Sequence, residues 1–103
     1  MKIQTTIIFE YKLADDEVEE FRQRVLERLE EENMLTPKEI PIEEIEDYLS
    51  NKLPDVIAEA KQGYGSGIMF DVFFGTISFD YCDECVSDMV YECAQKYENR
   101  GRN

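Results

Sequence analysis

The sequence predicts one α+β domain, with a small antiparallel sheet of about three strands and helices packed mainly on one face of it. The chain has 103 residues, the size of a single domain, and 43% of them are hydrophobic, enough for a packed core. Apolar residues alternate with polar ones near the start and in the second half, as in strands. Elsewhere they recur every three or four residues, as in helices, which gives the element order β-α-α-(α)-β-β-α.

Residues 2–12 are predicted to form the first strand. Side chains suited to a strand face occur at every second position of this stretch, which places them on one side. They are Ile3, Thr5, Ile7, Phe9 and Tyr11. Ile8 interrupts the other, polar side, so that side is expected to be partly covered.

Residues 15–33 are predicted to form a long amphipathic helix. Asp15 is suited to be its N-cap, the acids that follow suit the positive end of the helix dipole, and Asn33 is suited to end it. The apolar stripe has spacings of three and four residues. It consists of Val18, Phe21, Val25, Leu26 and Leu29.

Prolines interrupt the middle of the chain. A turn or short helical piece is predicted at 36–39, where Thr-Pro-Lys-Glu matches a capping box with proline at the first helical position. A helix from about 41 to 51 follows, and Pro54 is expected to end or kink it because proline has no N–H to donate. Residues 55–62 fit a helix or a short strand, and a helix is favoured. The inward side chains of 41–51 are Ile42, Ile45, Tyr48 and Leu49.

Residues 67–81 are the most strand-like part of the chain. Two antiparallel strands with a tight turn at Gly75 are favoured over one long strand with a bulge, because one strand would exceed the usual ~3–10 residues. The preceding segment, 63–67, is glycine-rich and is predicted to be a turn. It lacks the Gly-Lys-Ser/Thr ending of a phosphate-binding loop.

Residues 82–98 are predicted to form the last helix and to close a single domain over 1–98. A polar tail, 99–103, is expected to fray. The apolar stripe of this helix consists of Cys82, Cys85, Val86, Met89, Val90, Cys93 and Tyr97.

Charge is the strongest compositional signal. The chain contains 24 Asp and Glu against 11 Lys and Arg, a formal net charge of −13. Such a surface repels nucleic acid and anionic membranes and attracts basic surfaces, although solubility alone also explains it. The absence of any apolar run of about 18 residues, and of a signal-peptide pattern at the start, predicts a cytoplasmic protein.

The sequence contains no histidine. This excludes Ser-His-Asp and Cys-His catalysis and every histidine-containing metal site, so the chain is predicted not to be an enzyme and to have no cofactor. The Cys-x-x-Cys motif of Cys82 and Cys85, with Cys93, leaves three alternatives: packing in the core, metal binding, or redox chemistry. Core packing is favoured because the three cysteines share one predicted helical face.

Rows of acidic residues are the candidate binding sites. Glu84, Asp88 and Glu92 recur every four residues of the last helix, a spacing at which like charges destabilise a helix by a few tenths of a kcal/mol per pair. Repeated costs of this kind favour a use for the negative field, namely occupying a groove evolved for phosphates. Secondary candidates are Asp83, Asp15, Asp16, Glu19, Glu20, Glu43 and Asp47.

These features together resemble a class of proteins: a short chain without histidine, acidic helices, an aromatic strand pair and no catalytic set. The class is that of small acidic inhibitors encoded by phages and mobile elements, which includes DNA-mimic antirestriction proteins and anti-CRISPR proteins. The resemblance implies an inhibitor that binds the basic nucleic-acid channel of a nuclease, first of all a Cas9-type effector. It implies neither direct nucleic-acid binding nor membrane binding.

The alternative is a small interaction or adaptor domain with an apolar contact, which leaves a homodimer open. Its motivation is the aromatic content of the predicted strand pair, whose two faces both hold large apolar groups. These aromatic residues are Phe70, Phe73, Phe74, Phe79 and Tyr81.

Overall fold

The computed structural model describes residues 2–4, 10–34, 39–63, 67–71 and 74–101, which form three helices and four short strands. In chain order these are β1 (Lys2–Gln4), β2 (Glu10–Leu13), α1 (Asp15–Glu31), α2 (Ile42–Lys61), β3 (Ile68–Asp71), β4 (Thr76–Phe79) and α3 (Glu84–Gly101). The predicted α+β class is confirmed.

The first strand differs from the prediction, because residues 2–12 do not form one continuous strand. β1 and β2 pair antiparallel, with Lys2 opposite Lys12 and Ile3 opposite Tyr11. The two strands therefore run in opposite directions, and residues 5–9 between them lie outside the described residues. Folding back lets each short strand satisfy the backbone hydrogen bonds of the other.

The sheet is mixed and has the order β1-β2-β4-β3. β3 and β4 form the predicted antiparallel pair, but β2 and β4 run parallel, with Leu13 opposite Ile77. The parallel pair is a correction to the antiparallel sheet that the sequence predicted. Since α1 follows β2 and α3 follows β4, both helices leave the sheet at the same edge.

One face of the sheet is buried and the other is exposed. Leu13 and Ile77 are buried, whereas the neighbouring pair, Lys12 and Thr76, is exposed. Met69 of β3 is 65% exposed. The helices cover the buried face, and the largest fully buried side chains are Phe21, Leu13, Leu29, Ile40, Ile45, Leu49, Leu53, Ile57 and Met89.

Helix α1 begins at Asp15, as the predicted range 15–33 has it, but its last helical residue is Glu31 and its N-cap differs from the prediction. Ala14 is the N-cap and makes no side-chain capping bond, so Asp15 is the first helical residue instead of the cap. Asn33 has a φ of 54°, and the N–H of Met34 donates to the carbonyl of Leu29 over 2.8 Å. This left-handed closure satisfies the end of the helix, and it confirms Asn33 as the residue that stops it.

Helix α2 is continuous from Ile42 to Lys61, with Pro54 inside it. The alternative that Pro54 ends the helix is therefore wrong, and the helical interpretation of 55–62 is confirmed. The reason lies in the core: Leu49, Leu53 and Ile57 are fully buried on one stripe that crosses the proline. Their burial outweighs the one backbone hydrogen bond that Pro54 does not donate.

The hairpin of β3 and β4 turns at Gly75, whose φ of 63° favours glycine. At its base, a Cβ on Gly67 would lie 2.5 Å from both the Cβ of Asp83 and the Cγ2 of Val86. Only glycine lets the backbone pass this close to the start of α3. The predicted turn at 63–67 falls partly outside the described residues, at 64–66.

Helix α3 runs from Glu84 to Gly101, so residues 99–101 of the predicted tail are helical. Val86, Met89, Val90 and Cys93 are buried, as the stripe predicted. Cys82 precedes the helix and is exposed, so its assignment to the stripe is wrong. Among the described residues, no helix is long and apolar enough to cross a membrane.

Replacing Pro54 with alanine is expected to raise the free energy of unfolding by about 2 kcal/mol. Alanine supplies the missing N–H, and its helix propensity is about 3 kcal/mol more favourable than that of proline. Up to ~1 kcal/mol of this gain is lost because the unfolded chain has more conformational freedom with alanine than with proline. Urea denaturation measures the change. The matched control is Pro41→Ala at the N-cap position of α2, outside the helix proper, where little change is expected. A less stable Pro54→Ala protein would mean that the proline ring itself contributes essential packing.

Candidate functional site

The first turns of α1 and α3 lie together at one end of the molecule. The hydroxyl of Tyr81, just before α3, donates to the carbonyl of Glu17 in the first turn of α1 over 3.2 Å. The Tyr81 ring packs 5.5 Å from that of Phe79, and the guanidinium of Arg24 lies 5.3 Å from the centre of the Tyr81 ring. Tyr81 therefore ties the two helix starts to the sheet.

This end carries six carboxylates, which we call the acidic end: Asp15, Asp16, Glu20, Asp80, Asp83 and Glu84. All are exposed except Asp83, which is half-buried. The Oδ1 of Asp83 accepts the N–H of Cys85 over 2.8 Å, and the Oδ1 of Asp80 accepts the N–H of Cys82 over 3.0 Å. These carboxylates therefore also stabilise the start of α3.

The acidic end keeps its charge. The ion pairs between described residues use other acids, which are Glu19, Glu27, Glu31, Glu32, Glu39, Glu44 and Glu92. The negative charge at the two helix starts is therefore not compensated by ion pairs with described basic residues.

Two groups inside the acidic end respond to that field. Burial raises the pKa of Glu17, the N–H of Phe79 lowers it, and the charges of Glu20 and Asp16 raise it further, with a net rise. Burial also raises the pKa of Tyr81, as do Glu17 and Glu20. Oε2 of Glu17 is buried and has no hydrogen-bond partner among the described residues.

The predicted row of α3 is not uniform. Glu84 and Asp88 are exposed, but Glu92 is held by three donors. The hydroxyl of Tyr48 donates to its Oε1 over 3.1 Å, Lys52 Nζ lies 3.4 Å from its Oε2, and Lys96 Nζ lies 3.5 Å from its Oε1. The negative charge of Glu92 is therefore compensated by neighbouring lysines, and this carboxylate stabilises the fold, unlike the other two members of the row.

The environment of Glu92 favours the ionised form of its side chain. Burial raises the pKa of Glu92, but the hydrogen bond from Tyr48 and the charges of Lys52 and Lys96 together leave it below its ordinary value. Lys96 lies four residues after Glu92 on the same helix, so the sequence spacing could have predicted this ion pair. Tyr48 and Lys52 come from another helix and could not have been identified from spacing.

Three further candidates are not counted in the acidic end, because one is ion-paired and two lie elsewhere. Glu19 forms an ion pair with Arg22 over 2.6 Å, and this hydrogen bond lowers the pKa of Glu19. Glu43 and Asp47 are exposed near the start of α2. Because α2 runs antiparallel to α3, with Glu44 paired to Arg100, they lie at the opposite end of the molecule.

Sequence reasoning missed Asp80, which belongs to the acidic end, and Tyr81 as the link between the two helix starts. Asp80 could have been found from its position just before the cap of α3. The contact of Tyr81 with Glu17 spans 64 positions and has no local signal.

The three cysteines differ in environment. Cys82 is exposed, Cys85 is half-buried, and Cys93 is buried. Burial raises the pKa of the Cys93 thiol to about 12, so it is a poor nucleophile at neutral pH. Within the described ranges, no three Cys, Asp or Glu side chains gather in an arrangement that could hold a metal ion.

Among the described residues, the hairpin carries the two most exposed large apolar side chains. Phe74 is 76% exposed and Met69 is 65% exposed, whereas Phe79 is buried and Tyr81 is half-buried. The side chains of Phe70 and Phe73, also named as candidates, lie outside the described residues.

Comparison of the chain with protein-family models, with curated proteins and with solved structures finds no match.

Replacing Glu92 with glutamine is expected to lower the free energy of unfolding at pH 7, and this loss is expected to shrink as the pH falls below about 4.5. The folded-state pKa of Glu92 is depressed below about 4.5, so its stabilisation is present above that pH and is lost as the pH falls through the folded-state pKa. Urea denaturation at several pH values measures the difference.

The control is Asp88→Asn, which removes one charge from an exposed position one turn earlier on α3. It is expected to leave stability unchanged or to raise it slightly, because it relieves repulsion along the helix. An equal loss for Glu92→Gln at every pH would contradict the ion pairs described for Glu92.

Proposed function

We propose that this protein is a non-enzymatic acidic inhibitor that binds the basic nucleic-acid-binding surface of a nuclease, with a Cas9-type effector as the first target to test. It acts as an anti-CRISPR protein of the DNA-mimic kind. The chain binds neither nucleic acid nor membranes in this proposal, because both carry the same sign of charge.

The observation that carries the proposal is the acidic end. Two helix starts place six carboxylates together, and they form no ion pairs with the described basic residues. A groove that binds nucleic acid presents Lys and Arg to a series of phosphates. Exposed carboxylates on a rigid end of a folded domain offer the same sign of charge without the cost of ordering a flexible chain.

The net charge of −13 adds a long-range contribution. Opposite charges steer association and raise its rate, and this effect falls as salt increases. The absence of histidine favours action by occupying a surface instead of by catalysis. Glu84 and the acids of α1 are the principal contact residues, and Asp88 extends them along α3.

The protein is expected to inhibit DNA cleavage by a guide-loaded Cas9-type nuclease, and to bind it more weakly as salt rises. Fluorescence anisotropy of labelled target DNA separates loss of DNA binding from loss of cleavage. The acidic-end variant combines Asp16→Asn, Glu20→Gln and Glu84→Gln. It is expected to bind the nuclease roughly tenfold more weakly, or worse.

The matched control removes three charges from the opposite end, with Glu30→Gln, Glu43→Gln and Asp47→Asn. It is expected to keep most of the inhibition. Equal losses in both variants would show that net charge acts without a defined site and would overturn the acidic end. No inhibition by the unaltered protein at low salt would remove Cas9-type effectors as the target.

The second candidate function is an interaction domain that uses the hairpin. Phe74 and Met69 favour it, because both are large, exposed and apolar in a region with few charges. This is where a second copy of so acidic a chain meets least repulsion. An apolar contact of this kind persists at high salt, unlike contact through the acidic end.

Sedimentation velocity tests this candidate: a homodimer is expected to persist in 1 M salt, and the double change Phe74→Ser with Met69→Ser is expected to convert it to monomer. Tyr91→Ser is the control, since Tyr91 is a 37% exposed aromatic residue on α3. A monomer under all conditions would eliminate the homodimer.

A further inference from the structure

A groove of about 460 Å³ lies between the first half of α2 and the last half of α3. Its floor includes Ile40, Ile45 and Cys93, all buried, and its walls include Tyr48 and Tyr97. The volume falls within the ~300–1,000 Å³ of small-molecule sites, and an apolar floor with a few convergent polar groups is their usual composition.

Basic side chains are concentrated here. Lys52, Lys96 and Arg100 line the groove, three of the 11 Lys and Arg of a strongly acidic chain. Three acids, Glu44, Asp47 and Glu92, line it as well, so this surface is locally balanced in charge. It lies at the other end of the molecule from the acidic end.

Around Glu92, the groove has more hydrogen-bond donors than acceptors. Glu92 accepts from Tyr48 and faces both lysines, so its two oxygens are well supplied with donors. Each ammonium group has three N–H donors, and Glu92 is the one described acidic partner of both Lys52 and Lys96. The side chains of Lys52 and Lys96 are 37% and 65% exposed, so both ammonium groups are accessible to a further acceptor, although the Nζ of Lys96 also lies 5.4 Å from the centre of the Tyr48 ring.

We propose that this groove binds a small organic monoanion with an aromatic body, such as an aryl carboxylate or sulfonate. Its anionic group accepts from the ammonium groups of Lys52 and Lys96 on the side away from Glu92, and its aromatic body packs against Tyr97 and the apolar floor. An acceptor on the ligand uses the remaining N–H donors, and a ring fits beside tyrosine in offset or edge-on contact.

The charge of the whole chain restricts the ligand to a single negative charge. A polyphosphate would meet the field of a protein with a net charge of −13, whereas a monoanion requires only the local excess of donors. The inference does not depend on the proposed inhibitor function, since it uses other residues at the other end.

The probe is 8-anilinonaphthalene-1-sulfonate, titrated into the full chain and followed by fluorescence and by amide chemical shifts. Saturable binding with one equivalent is expected, with shifts at Asn51, Tyr97 and Asn99. Lys96→Gln is expected to weaken binding roughly tenfold, and Lys96→Arg to retain it. Lys96 is largely exposed, so neither change is expected to unfold the protein.

The charge control is Lys12→Gln on the exposed face of the sheet, which also removes one positive charge and is expected to leave binding unchanged. The ligand control is N-phenyl-1-naphthylamine, the same rings without the sulfonate, which is expected to bind much more weakly. Shifts centred on Met69 and Phe74, equal binding of the neutral compound, or no saturation would each overturn the proposal.

Discussion

The parallel pairing of β2 with β4 is the constraint on which the arrangement of the surface depends. Two parallel neighbours end at the same edge of a sheet, so the helices that follow them begin side by side. Each helix start favours acidic side chains because of its dipole, and two starts at one edge double that preference. The acidic end follows from strand direction as much as from composition.

A second set of contacts separates the charges of the molecule. Tyr48 lies at the centre of this set: its ring stacks 6.2 Å from that of Phe21, and its hydroxyl contacts the carbonyl of Met89 and the carboxylate of Glu92. It thereby joins all three helices, and the pairs Glu44–Arg100 and Lys52–Glu92 show that α2 and α3 run antiparallel. Lysines of α2 and α3 then meet Glu92, so this carboxylate is paired, whereas those of the acidic end form no ion pair with a described basic residue.

Three surfaces of different chemistry result from these two constraints. The acidic end suits a basic partner, the exposed hairpin suits an apolar one, and the groove between α2 and α3 suits a small anion. They do not overlap, so changes at one are expected to leave the others intact. Their responses to salt also differ, because exposed charges are screened within about 8 Å at physiological ionic strength whereas apolar contacts are not.

The sequence by itself determined the α+β class, the apolar stripes of the helices, the stop at Asn33 and the turn at Gly75, because each rests on local periodicity or on a single backbone requirement. Only the tertiary structure decided that residues 2–12 fold back, that the helix continues through Pro54, and that Glu92 is neutralised. In these cases a contact from a distant part of the chain outweighs the local signal. Strand pairing and the donors Tyr48 and Lys52 are invisible to spacing along one element. The spacing of Leu49, Leu53 and Ile57 shows a common helical face, but not that its burial outweighs the proline.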